Sequence, residues 1–186
     1  MLGLRTVDND RKSYNNFQWH PVGGTAIAPD WDGGKAECGG GLHFLPWGEG
    51  DGRLLNWSPV AIWQVVDDQD APDTILFDRK AKAHKLTVVF EGNQKDATDY
   101  ILSHGAVGKA VVGATVVVGN NQVAVVGDYG NATAGYNGTA TAGMYGTLII
   151  KHCDDRYRIV VGYVGENEIL PNVVYKLDKK GKFVKV

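Results

Sequence analysis

From Gly41 to Glu91 the apolar residues come in short alternating runs rather than at helical spacing. Gly41–Leu45, Val60–Val66, Thr74–Phe77 and Lys85–Glu91 each predict a strand, bounded by Gly, Pro and Asp clusters that read as turns. The period then changes once. Ala97, Tyr100, Ile101 and His104 share one face at helical spacing, Asn93 is placed to cap that helix with Asp96 three residues on, and Gly105 is placed to close it. The chain to residue 106 is therefore expected to be an α+β domain in which strands dominate.

From Val111 to Ile150 the pattern is different again. In blocks of eight it reads VVGATVVV, GNNQVAVV, GDYGNATA, GYNGTATA, GMYGTLII. Glycine opens four blocks (Gly119, Gly127, Gly135, Gly143), and Gly130, Gly138 and Gly146 follow three places later in the last three. The sixth and eighth positions are always Ala, Val, Leu or Ile, and Asp128 is the single charge. Such self-similarity marks a repeated supersecondary unit. Two geometries satisfy it: a narrow two-sided β-solenoid with two blocks per rung, or a meander of hairpins, for which Asn137-Gly138 is a type I′ turn signal. The solenoid is the expectation, because four-residue strands in a meander bury too little between Ala side chains.

Larger residues return after Lys151. Thr147–His152 and Tyr157–Val164 flank an Asp154-Asp155-Arg156 turn, and Val173–Leu177 and Lys182–Val186 flank Asp178–Gly181, which predicts two hairpins placed to cap the repeat. The expected fold is thus mainly β (α+β): a strand-rich domain at 1–106, an octad-repeat β-solenoid at 107–150 and a C-terminal hairpin cap at 151–186.

The octads, followed by Tyr157-Arg158-Ile159-Val160-Val161-Gly162 and Pro171-Asn172-Val173-Val174-Tyr175, resemble the C-terminal halves of a family of uncharacterised phage and bacterial proteins with tandem Gly-Asp-Tyr-Gly-Thr-Ala-Thr-Ala blocks. Phe17-Gln18-Trp19 and Cys38-Gly39-Gly40-Gly41-Leu42-His43 are similar too, so the likeness covers most of the chain, although the first two octads lack the second glycine. The resemblance implies a phage, prophage or bacterial accessory protein and carries no activity with it.

Composition narrows the classes. With 186 residues, a net charge of −2 and 22% charged residues, the chain is not a basic nucleic-acid binder. It has no run of apolar residues long enough to span a bilayer, and no secretion signal is read at Met1–Asp8. Cys38 and Cys153 fit no CxxC pattern and are expected as free thiols in a cytoplasm, that of the host if the chain is phage-encoded. No nucleophile elbow, phosphate loop or dinucleotide fingerprint occurs. A metal set of His20, Cys38, His43 and Asp30 or Asp32 lacks the paired close spacing of zinc ligands, so neither metal nor cofactor is expected. Threonines at 133, 139, 141 and 147 raise a minor alternative, a water-ordering ladder.

Charge distribution is more informative than net charge. Between Asp30 and Asp78 ten acids face two bases, with Trp31, Trp47 and Trp57 among them, whereas Arg79, Lys80, Lys82 and Lys85 follow at once. Trp is enriched at binding hot spots and charge asymmetry steers association. The expected function is therefore non-enzymatic binding of a macromolecule. Trp31, Trp47, Asp67, Asp68, Asp70 and Asp73 would contact a protein partner, which a basic nucleic-acid-binding host complex would fit, and inhibition of a host defence complex would extend the resemblance above. Direct nucleic-acid or membrane binding is not expected. Tyr129, Tyr136 and Tyr145 would mediate homo-oligomerisation through the repeat. The alternative is an NAD-using enzyme. Gly41-Leu42-His43-Phe44 resembles the Gly-Ile-Tyr-Phe step of ADP-ribosyltransferases, with His43 and Glu91 as catalytic groups and Arg5 or His20 on the first strand.

Overall fold

A computed structural model of the chain describes every residue except Gly34, Asp70, Ala71 and Pro72. The chain divides into two compact units, Met1–Val107 and Gly108–Val186, and is strand-rich with one α-helix among the described residues.

The first unit is one antiparallel sheet. Its strands in chain order are β1 (Leu2–Val7), β2 (Thr25–Ile27), β3 (Leu42–Pro46), β4 (Ile62–Asp67), β5 (Ile75–Phe77), β6 (Lys80–Ala83) and β7 (Lys85–Gly92), arranged β2-β7-β4-β1-β3-β6-β5. β3, β4, β5 and β7 fall where alternation predicts them. β1, β2 and β6 are additional strands; β6 reads Lys-Ala-Lys-Ala, whose period of two is masked by its charge. One face buries Val7, Leu42, Phe44, Val66, Leu86 and Val88 with Trp19 packed across them; each such side chain contributes about 1.5–3 kcal/mol on burial.

Helix α1 (Gln94–Ile101) contacts β1, β4 and β7. Asn93 caps it: its side chain accepts from the Asp96 backbone N–H at 3.0 Å and donates to the Asp96 carboxylate at 2.8 Å. Ala97, Thr98 and Ile101 are buried, and Tyr100 stacks between Phe90 and His104. The helix gives way to a wider turn at Leu102–Ala106, with Gly105 at φ 119°.

In the second unit the octad strands are β8 (Thr115–Val117), β9 (Val123–Val125), β10 (Asn131–Ala134), β11 (Thr139–Thr141) and β12 (Thr147–Cys153), followed by β13 (Tyr157–Tyr163), β14 (Tyr175–Leu177) and β15 (Phe183–Lys185). Successive octads enter different sheets, ordered β13-β12-β10-β8 and β15-β14-β11-β9. Octads two apart pair in parallel: Thr115 with Asn131, Asn131 with Thr147, and Val123 with Thr139, each sixteen residues on. A hairpin meander would pair neighbouring octads antiparallel, and no such pair occurs among the described residues.

The turns stack as the strands do. Asn120 Oδ1 accepts from the Tyr136 backbone N–H at 2.9 Å, and Asp128 Oδ1 from that of Met144 at 2.8 Å, again sixteen residues apart. A Cβ on Gly143 would lie 2.5 Å from the Asp128 backbone nitrogen and 2.7 Å from the Gly127 carbonyl carbon, so glycine is required there by close approach rather than by dihedral angle. The inward side chains are small: Ala114, Ala124, Ala132, Ala134, Ala140 and Ala142 are all buried. Parallel pairing stops at β11 and β12, where β14 and β13 add antiparallel as parts of the two predicted hairpins.

Candidate functional site

The β3–β6 end of the first sheet collects the chemistry. Pairing sets His43 opposite Lys82, and the segment from Ala28 to Gly41 lays Trp31, Asp32, Glu37 and Cys38 against them. The Lys82 side chain is 0% exposed, with Nζ donating to Asp32 Oδ2 at 2.6 Å and to the Glu37 carbonyl at 3.2 Å. The same Nζ lies 5.9 Å from the Trp31 ring centroid and 5.7 Å from that of Phe77, which adds cation–π attraction. Lys80 Nζ is 2.6 Å from the Cys38 sulfur. Burial, together with Lys80, Lys82 and Arg5, holds the His43 imidazole below its ordinary pKa, and its Nε2 is buried without a hydrogen-bond partner.

Trp31 stacks on His84 at 5.6 Å, and His84 Nδ1 lies 3.9 Å from the Asp73 carboxylate. Two expected contact residues, Trp31 and Asp73, therefore meet through His84, which charge counting had not singled out. Trp31, Trp47 and Trp57 are half-buried, whereas Trp19 and Trp63 are core. Trp47 lies elsewhere, packed against Gly105. Asp67 is partly exposed and bonds the Met1 amino group at 3.3 Å. Asp68 is buried at 5%, bonded to the same amino group and at 3.0 Å to the Thr74 hydroxyl, so it is a structural carboxylate and does not join an exposed face. Asp70 lies outside the described residues.

The acids of this region are not one field. Asp32 serves Lys82, Asp51 holds Arg53, and Asp30 accepts from the Gly41 backbone N–H. Arg53 draws the Asp51 carboxyl down to about 2. Among the described residues, Asp30 and Glu37 remain exposed and Asp73 partly exposed.

The catalytic alternative is taken apart by the pleat. Arg5 sits opposite Gln64, and Gln64 opposite Glu91, so these three share one face of the sheet. Leu4 sits opposite Leu45, which puts Phe44 on the Arg5 face and His43 on the other. A site using His43 with Arg5 and Glu91 would need them on one side. Glu91 is further committed to Arg11, whose Nε lies 3.0 Å away, and to Gln64 at 3.2 Å; Arg11 and then Gln64 hold its carboxyl below the usual range. Arg5 is buried with its guanidinium 3.3 Å from the Trp19 ring centroid, and burial lowers its pKa well below the ordinary value. Its Nε and Gln64 Oε1 have no partner. His20 is exposed and its carbonyl, not its ring, meets Gln64.

Among the described residues no three His, Cys, Asp or Glu are grouped to hold a metal ion, and no helix is long and apolar enough to cross a membrane. Both cysteines are free. In the second unit Tyr129 and Tyr145 stack at 5.1 Å on successive parallel turns, with Tyr145 63% exposed; Tyr136 is exposed on the alternate turn. The threonines do not form a ladder: Thr133 pairs with Val117 and Ile149, Thr139 with Val123, Thr141 with Val125 and Thr147 with Asn131. No protein-family model, curated protein or solved structure matches the chain.

Proposed function

We propose that this chain is a non-enzymatic protein-binding accessory protein that docks through the Trp31 region of its first unit. The observation that carries the reading is the half-buried Trp31 platform: an indole stacked on His84, edged by Asp73 and Asp30, and underlaid by the buried Lys82–Asp32 pair. A rigid aromatic with little rotamer freedom left to lose is a suitable hot spot. The surrounding carboxylates favour a partner with a basic surface. The octad resemblance supports a phage or mobile-element origin and action in a host cytoplasm, where a basic nucleic-acid-binding complex is the partner class that fits.

The second unit is read as a short two-sided β-solenoid of sixteen residues per rung. Support comes from the parallel offset, the Asn120 and Asp128 bonds to the next turn, and glycines at one register. Its two antiparallel hairpins would then act as the terminal cap.

The test is affinity capture by the tagged full chain from host lysate, with bound proteins identified by mass spectrometry and the capture repeated with Trp31→Ala and Asp73→Lys. The expected result is a stoichiometric partner kept by the native chain and lost by both variants. No partner, or equal capture by all three, refutes the reading.

A further inference from the structure

We propose that β13 is a self-pairing edge, through which two copies of the chain join antiparallel about a two-fold axis at Val160. This concerns the second unit and does not rest on the binding role of Trp31.

A sheet edge presents unpaired backbone groups, and proteins blunt such edges by keeping them short, charged or covered. Of the edge strands in the three sheets, β2, β5, β8, β9 and β15 are three residues each, too short to template a ladder. β13 has seven, without proline or lysine, and its one charged side chain, Arg158, is paired with Asp154 and Asp155 of the adjoining turn. One side of it pairs with β12 along its whole length. Among the described residues, no backbone N–H of β13 is bonded on the other side.

Its outward side chains are the second observation. Tyr157, Ile159, Val161 and Tyr163 are 84%, 66%, 45% and 54% exposed and lie in one row. Together they leave on the order of 500 Å² in water, within the range of the largest patch on a typical monomer, which is often functional. Their order selects the occupant. Aromatic, aliphatic, aliphatic, aromatic is symmetric about Val160, so antiparallel pairing centred there sets Tyr157 against Tyr163 of the second copy and Ile159 against its Val161. Directly opposed aromatic and β-branched pairs are the favourable cross-strand combinations. An isologous contact requires such self-complementarity.

Charge agrees. The Tyr157 end carries Lys151 beside Ile159 and a turn in which Asp154 and Asp155 are paired with Arg158 at 3.1 and 3.0 Å while Arg156 adds a further cation, so three bases face two acids and the end is net positive by one charge. The Tyr163 end carries exposed Glu166 and Glu168. Antiparallel pairing brings the basic end of one copy to the acidic end of the other, whereas parallel pairing would juxtapose like charges.

The experiment is sedimentation-velocity analysis of the full chain at about 1 and about 100 μM, where a dimer near the small end of the interface scale would form. Ile159→Lys is the perturbation: the position is exposed, so the fold tolerates it, and the two-fold places the lysine twice in the interface. The expected result is a concentration-dependent dimer, weakened at least about 100-fold by Ile159→Lys while the far-ultraviolet spectrum is unchanged. Val160→Cys, with Cys38 and Cys153 replaced by Ser, gives a second reading, because residues on the axis face themselves and mild oxidation should yield a covalent dimer. A native chain that stays monomeric at the higher concentration overturns the proposal, including the case in which β13 accepts a strand from a different protein. A dimer that persists in Ile159→Lys with no Val160 cross-link also overturns it and moves the contact to the Tyr129–Tyr145 ridge.

Discussion

Removing Asp32 should cost far more than removing the lysine it neutralises. The Lys82 ammonium is wholly buried and has as acceptors the Asp32 carboxylate at 2.6 Å and the Glu37 carbonyl at 3.2 Å. Asp32→Ala leaves a buried cation with one neutral acceptor and two aromatic rings. Breaking a buried pair in this way costs about 3–5 kcal/mol; Asp32 is itself 22% exposed, so entering water recovers part, leaving about 2–4 kcal/mol. Lys82→Met removes the charge and keeps the apolar stem, and should cost about 1 kcal/mol or less, because Asp32 then turns to solvent. The double variant should resemble Lys82→Met, so the coupling equals the cost of Asp32→Ala, about 2–4 kcal/mol. All five tryptophans lie in the first unit, so urea unfolding followed by tryptophan fluorescence reads that unit alone. Additive effects of the two substitutions would refute the argument, since they would mean that Lys82 does not depend on Asp32.

Three further outcomes follow from other contacts. His43 is held below its ordinary pKa, so the unfolded chain binds the proton more readily: stability should fall as pH drops from the unfolded value near 6.5 toward the folded one, and His43→Gln should flatten that slope in fluorescence-monitored urea titrations at pH 7 and 5. Asp51 behaves as a depressed carboxyl, its contribution present above the ordinary 3.8 and lost as pH falls toward about 2; Asp51→Asn should remove about 1 kcal/mol at pH 5 and little at pH 2, by the same titration. Gly143→Ala drives a methyl into the Asp128 and Gly127 backbone and should destabilise the second unit by more than about 2 kcal/mol, whereas Gly165→Ala, at φ 98° with open space, should cost only about 1 kcal/mol; amide hydrogen exchange over residues 111–150 separates the two.

Which parts of this molecule were legible depends on whether local pattern or distant contact decides them. The parallel pairing is written in the period itself: two octads make a sixteen-residue offset that sets like residue beside like, so glycine at 127 and 143 declares the close approach directly. The Asn93 cap and the two C-terminal hairpins are equally local. Strands β2 and β6 escaped because runs of three and four residues carry no run-length signal, and β6 hides two buried alanines among lysines; β1 is six residues long, but Gly3 and Arg5 stand at alternate positions where alternation would look for apolar side chains. The site was less legible still, because counting acids along the chain says nothing of their partners. Asp32 and Lys82 are fifty residues apart, and only the β3–β6 pairing with the segment before it brings them together.

The same reasoning explains why His43 and Glu91 looked catalytic in sequence and separate in space. A motif names residue types, but a pleated sheet assigns each residue a face by parity and by cross-strand register. Arg5, Gln64 and Glu91 are joined across β1, β4 and β7 by register, while His43 is set on the opposite face by the pairing of Leu4 with Leu45. That register rests on the apolar residues around it, since a one-residue slip of β3 would turn Phe44 out of the core. Packing of the sheet therefore determines which polar groups can act together, and here it sets His43 and Glu91 on opposite faces.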